Sequence, residues 1–335
     1  MRNGLQKPLW GQKLFSMIKN RVVILTICDD ISTDNVIGWL NYFSIAWKRI
    51  NAEDFFEKSV SIKIKSKNLD KPMSEIVWFR KWLKSYSPNQ SKNKEGMGKE
   101  FVSYSNFLFN KFFNDNYNAS FKLNQPKDTN IDKLTQLKEA SDLNLLIPQT
   151  IFTSQKSELL KFVSVNKTII TKTLAATLFI QAEQSYFMNY TRDFNISEIN
   201  HLPNQFYPTL FQKKVIKKFD IRSFYLDGEF FSMAIFSQFD NQTKTDFRQY
   251  NYTNPNRTVP YQLPKIIENQ LRSLMLKLEL NSGSLDIVFD ENQDYVFLEV
   301  NPVGQYDMVS NPCNYYLDKK IAFLFKEKLE HNIKN

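Results

Sequence analysis

The chain has 335 residues, 42% of them hydrophobic, so it is globular and long enough for two or three lobes. Its 44 basic and 35 acidic residues leave a net charge of +9, which fits solvated lysine-rich faces or a basic cleft for phosphate groups or an acidic partner. Two cysteines and two histidines exclude a disulfide framework, a zinc motif, a histidine metal site and a Ser-His-Asp triad, and the low cysteine count fits a reducing cytoplasm.

Residues 1–20 are basic, lack a signal core and are set apart as an N-terminal extension. The run VVILTIC at 22–28 predicts a strand buried on both faces, and it is far too short to span a bilayer, so no membrane partner is expected. Asp29, Asp30, Ser32, Thr33 and Asp34 offer caps for a helix carrying Val36, Ile37, Leu40, Phe43 and Trp47. Alternation at 60–65 and the run 76–80 predict two more strands, which gives a small α/β lobe over 21–125. That lobe also holds a polar loop at 85–98 and an aromatic-rich helix at 100–116.

Pro126 and Asp128 break the chain. A central lobe, 126–205, then opens with a helix capped by Asn130 and carrying Lys133, followed by strands at 150–152 and 168–173, the latter bearing Lys172. In the C-terminal lobe, 206–335, strands at 211–216, 220–226, 230–237, 284–289 and 295–299 are expected to form one sheet beside a helix at 263–280. The overall class is α/β (α+β).

Chemistry concentrates at the last hairpin. Glu299 and Asn301, two apart on a strand, share a face that Asp286 on the partner strand can reach. Three hard oxygen donors there suit Mg²⁺, whereas a pair of exposed acids on an edge hairpin is the plain alternative. Among eight glycines there is neither a P-loop nor a dinucleotide fingerprint, and with no motif for nucleic acid, that partner is not expected.

The order Lys133, Lys172, hinge strand 211–216, Asp220-Ile-Arg222, Asp246-Phe-Arg248, Asp286 and Glu299-Val-Asn301 resembles the ATP-grasp ligases over residues 21 to the end. The finer resemblance is to the graspetide (microviridin-type) peptide macrocyclases, and within them to the grasp-with-SPASM maturases. It rests on residues 76–80, 130–134, 147–148, 171–174, 218–222, 246–248 and 260–264. The resemblance implies three lobes, two of which clamp ATP. Lys133 and Lys172 would bind its phosphates, and the backbone around Gln212, Lys213 and Val215 would meet adenine. Lys217 stands where relatives often have an acid for the ribose, and 173–177 lacks their glycine-rich loop. Arg248 would neutralise the γ-phosphate, Asp286, Glu299 and Asn301 would hold Mg²⁺, Arg222 would bind the carboxylate, and Asp220 would orient or deprotonate the nucleophile. A salt bridge between Asp220 and Arg222 is the structural alternative. The implied partner is a ribosomally made precursor peptide with a leader and an acidic core, and a homodimer is the implied assembly. Competing functions are a ligase that adds a free amino acid, an ATP-binding protein without turnover, and a nucleic-acid-binding protein.

Overall fold

The computed structural model describes residues 21–52, 73–81, 119–125, 128, 131–172, 179–182, 185–188 and 191–334. The strand expected at 60–65, the loop at 85–98, the helix at 100–116 and the segment 173–177 lie outside these residues. The chain divides into two compact units, residues 1–127 with 316–335, and residues 128–315.

The first unit is a parallel sheet in the order β2-β1-β3-β4, formed by β1 (Val22–Thr26), β2 (Trp47–Asn51), β3 (Met73–Phe79) and β4 (Ala119–Leu123). All five residues of β1 are buried, because it is an inner strand covered on both faces, and this is why its sequence is continuously apolar. Helix α1 (Ile31–Tyr42) follows with Asp30 at its N-cap position. The Asp30 side chain does not cap it. Instead it accepts from the Thr26 and Thr33 hydroxyls at 2.8 and 2.6 Å and pairs with Lys81 at 3.0 Å.

The second unit opens with α2 (Lys133–Asp142), whose N-cap is Asp132 rather than Asn130: its carboxylate accepts from the Thr135 backbone N–H at 2.9 Å. A carboxylate suits that position because it meets the unpaired N–H groups and the positive end of the helix dipole. Next come β5 (Thr150–Gln155), α3 (Lys156–Asn166), β6 (Ile169–Lys172), β7 (Phe179–Ala182), β8 (Ser185–Met188), β9 (Arg192–Phe194), α4 (Ile196–His201) and β10 (Gln205–Lys213). The sheet order is β5-β10-β6-β9, with β7 and β8 forming a separate hairpin. Here β10 corrects the expectation that 211–216 joins the C-terminal sheet: it pairs with β5 and β6. Phe211 packs with Leu159, Val163, Ile169 and Ile199 beneath α3, so alternation turns Gln212 to the opposite face.

The C-terminal sheet contains β11 (Lys217–Leu226), β12 (Glu229–Phe236), β13 (Arg257–Tyr261), β14 (Ser282–Asp290) and β15 (Tyr295–Asn301), in the order β13-β12-β11-β14-β15. Strand β13 was not expected from the sequence, since Pro260 interrupts a short run that only an edge position tolerates. One face carries the apolar alternation Ile221, Tyr225, Leu285, Ile287, Phe297 and Val300, which packs with Leu137 and Ala140 of α2 and with Leu271, Leu274 and Met275 of α5 (Lys265–Lys277). The opposite face carries Asp220, Arg222, Asp286 and Glu299. Helix α6 (Asp307–Cys313) follows in this unit, and α7 (Leu317–Lys334) belongs to the first, where Phe325 meets Trp78 with ring centres 5.8 Å apart.

Leu274 is fully buried in that core and Leu276 is 68% exposed on the same helix. Leu274→Ala is expected to lower unfolding free energy by about 2–5 kcal/mol and Leu276→Ala to stay within about 0.5 kcal/mol, measured by urea titration. Equal effects would mean that α5 packs by another face.

Candidate active site

Strand register assembles the site. Arg222 lies opposite Asp286, and Asp286 opposite Glu299, so one cross-strand row carries a cation and two carboxylates. The register then slips between Asp286 and Ile287, a bulge that leaves Leu298 and Glu299 both lining the same cavity. Neither acid is exposed, which removes the plain alternative of surface acids on a hairpin: Asp286 and Glu299 are 7% and 8% accessible. Asn301 sits one row further along the same face, opposite Ser284.

Buried carboxylates need cations. Arg222 Nη1 donates to Asp286 Oδ1 at 2.5 Å, and Lys133 Nζ lies 3.0 Å from Glu299 Oε2. Lys133 is placed there by Gln136, one turn later, whose Oε1 accepts from the buried Val300 N–H at 2.8 Å and so ties α2 to β15. Burial raises the Glu299 pKa, but Lys172, Lys133 and Arg248 outweigh it and hold the carboxyl down at about 2. For Asp286, burial prevails over Arg222, with the neighbouring Glu299 charge adding to it, and the pKa is raised. Lys172 is pushed down to about 8 by burial, with Glu299 opposing the shift and Lys133 adding to it.

The cavity is lined by Lys172 from β6, by Gln212, Lys213, Val215, Lys217 and Asp220 from β10, β11 and their connection, and by Arg248, Asp286 and Glu299. Strand register puts Gln212 beside Ile170, and Leu210 beside Lys172, on one sheet face. Gln212 Nε2 donates to Thr150 Oγ1 at 2.9 Å, while its Oε1 is buried with no hydrogen-bond partner among the described residues. Arg248 does not lie on a strand. It sits in the loop before β13, where Asp246 accepts from its Nε and Nη2 at 2.8 and 2.6 Å and also from the Thr191 N–H at 3.1 Å. That hydrogen bonding keeps the guanidinium firmly charged.

Asp220 is not paired with Arg222. Its partner is Lys217, whose Nζ reaches both carboxylate oxygens at 2.7 and 2.8 Å, and Ser237 Oγ donates to Oδ2 at 2.5 Å. Sequence reasoning singled out neither Ser237 nor Leu298, because a serine ending a strand and a leucine at a bulge carry no motif. A separate pocket of about 280 Å³, lined by Phe194, Leu202, Phe206 and Phe211 among others, opens from the other face of the β10 sheet and holds no carboxylate.

The residues present fit a nucleotide with magnesium: carboxylate and amide oxygens in adjacent rows, convergent lysines and an arginine, and an orphaned amide oxygen where a base could donate. No family model and no curated protein matches the chain. Solved structures do. An ATP-grasp ligase of Chryseobacterium gregarium, associated with a ribosomally made peptide and bound to ADP and to a leader and core peptide, aligns at 22% identity and a TM-score of 0.80. That alignment covers 92% of this chain and 97% of the relative. The macrocyclase MdnC of Microcystis aeruginosa, bound to its precursor peptide MdnA, aligns at 23% identity and a TM-score of 0.76, covering 91% and 99%. The ATP-grasp ligase PsnB, with a minimal precursor, Mg and ADP, aligns at 14% identity and a TM-score of 0.71, covering 92% and 98%.

The chain has the ATP-grasp fold. The narrower likeness to grasp-with-SPASM maturases rests on sequence alone. Among the described residues, no helix of this ATP-grasp chain is long and apolar enough to cross a membrane.

The Lys217–Asp220 pair sets up a pH test. Burial raises the Asp220 pKa in the folded chain and Lys217 opposes it. Without Lys217 the folded value climbs further above the unfolded one, so stability is lost as pH rises through it. Lys217→Met is therefore expected to cost about 3–5 kcal/mol near neutrality. The deficit should shrink at about pH 4, in urea titrations at both pH values. The same deficit at both would contradict the pairing.

Proposed function

We propose that the chain is an ATP- and Mg²⁺-dependent ligase that acts on a ribosomally made precursor peptide. It would activate Asp or Glu side chains of an acidic core as acyl phosphates and join them to Ser or Thr hydroxyls or Lys amines of the same peptide. The observation that carries this reading is the buried row Arg222–Asp286–Glu299–Lys133 beside Lys172 and Arg248, set in the fold of ligases bound to ADP and precursor peptides.

Phosphoryl transfer asks a protein for in-line positioning and charge neutralisation more than for covalent chemistry. Lys133 and Lys172 would bind phosphate oxygens, and the Gln212–Val215 segment, with Lys217 after it, would border the nucleoside. Asp286, Glu299 and Asn301 would hold magnesium, which would supply charge neutralisation. Arg248, held in place by Asp246, would meet the γ-phosphate. Among the described residues the buried Arg222 Nε has no hydrogen-bond partner, and it would donate to a substrate carboxylate that reached it.

In the first step a carboxylate oxygen bonds to the γ-phosphorus, the β–γ bridge breaks and ADP leaves. In the second, a hydroxyl or amine bonds to the acyl carbon, phosphate leaves with the electrons of the breaking C–O bond, and Asp220 takes the proton. The peptide loses the elements of one water per crosslink. The basic surface implied by the net charge suits an acidic core.

The test is the intact mass of an acidic precursor peptide, encoded beside the gene, after incubation with the chain, ATP and Mg²⁺. One water lost per crosslink is expected, absent without ATP and absent with Glu299→Ala. Gain of whole amino-acid residues would mean a ligase adding a free amino acid instead. Asp220→Asn should keep ATP binding and lose crosslinking; full crosslinking by that variant would take Asp220 out of the chemistry.

A further inference from the structure

Asp220, at 4% accessibility, is engaged by more groups than a salt bridge requires. Lys217 Nζ lies 2.7 Å from Oδ1 and 2.8 Å from Oδ2, and Ser237 Oγ donates to Oδ2 at 2.5 Å. The direction of the serine proton follows from its other neighbour. Gln238 Nε2 lies 3.1 Å from the Lys244 carbonyl and 3.0 Å from Ser237 Oγ. A carbonyl only accepts, so the amide nitrogen is the atom on that side of Gln238, and it donates to Ser237 as well. The single hydroxyl proton of Ser237 is thereby left for Asp220.

Each carboxylate oxygen offers two lone pairs. Both on Oδ2 are taken, one by Lys217 and one by Ser237, whereas among the described residues Oδ1 accepts from Lys217 alone. Asp220 lines the cavity that also holds Asp286 and Arg248, so among the described residues Oδ1 is the Asp220 oxygen left to accept another proton there. Ser237 is fully buried. It also starts the segment that returns Asp246 and Arg248 to the cavity, and its own carbonyl is held by Thr243 Oγ1 at 2.9 Å.

We propose that Ser237 is a positioning residue for bond formation: with Gln238 behind it and Lys217 beside it, it fixes the Asp220 carboxylate so that Oδ1 receives the proton of the attacking hydroxyl or amine. The inference rests on the ligase reading above. It concerns the second step only, in which the nucleophile's O–H or N–H proton passes to Oδ1 as the new bond forms at the acyl carbon and phosphate departs. Loss of the serine hydroxyl leaves Asp220 paired with Lys217 but free to rotate. Acyl phosphate still forms and is then lost to water.

The experiment is to count ADP and crosslinks together in the full chain with its precursor peptide, for wild type, Ser237→Ala and Ser237→Thr. Wild type is expected to release about one ADP per crosslink. Removing one hydrogen bond to a charged group should raise that ratio about tenfold in Ser237→Ala, because crosslinking falls more than ADP release. Ser237→Thr keeps the hydroxyl and should bring the ratio back toward wild type. If ADP release and crosslinking fall together in Ser237→Ala, or neither falls, the serine is only a structural anchor and the proposal is overturned while the ligase reading stands. If the wild-type chain crosslinks nothing, the proposal is overturned together with the reading it rests on.

Discussion

The site depends on keeping the Glu299 carboxylate charged where water hardly reaches it. Burial of a lone carboxylate costs far more than a domain can spare, so the group would take up a proton unless cations surround it. Lys133 from a helix, Lys172 from one sheet and Arg248 from a loop supply that field, and their combined effect exceeds the desolvation. Lys172 in turn stays partly charged against its own burial because Glu299 is near. Four segments far apart in sequence thus meet around one charge.

Backbone devices bring these groups within range. The bulge in β15 turns Glu299 and Leu298 to the same cavity, which a regular strand could not do. The buried bond from the Val300 N–H to Gln136 fixes α2 against β15 and so sets where Lys133 ends up. On the far side of the sheet, the apolar faces of α2 and α5 bury the alternate residues of β11, β14 and β15. The same alternation that makes the core therefore selects which side chains face the cavity.

Much of this was legible in the sequence, for physical reasons. The continuous apolar run of β1 marks a strand buried on both faces, and the two-residue spacing of Glu299 and Asn301 puts them on one face that Asp286 on the partner strand can reach. The convergence of Lys133, Lys172 and Arg248 was accessible only through the resemblance to ATP-grasp ligases, since no local period links them. What escaped was non-local or irregular. The assignment of β10 to the other sheet depends on pairing with β5 and β6, and the Asp132 cap on which of two neighbouring polar residues meets the first turn. The Lys217–Asp220 pair depends on an i,i+3 approach along β11 that strand spacing alone disfavours. Ser237 and Gln238 belong to no motif, and only their hydrogen bonds disclose them.

The most direct test of the central claim is calorimetric titration of ATP into the peptide-free chain, with and without Mg²⁺, for wild type and Glu299→Gln. The account predicts saturable binding of one nucleotide per chain that Mg²⁺ strengthens, and a Glu299→Gln chain in which that gain is lost. No ATP binding, or binding indifferent to both Mg²⁺ and Glu299, would contradict it.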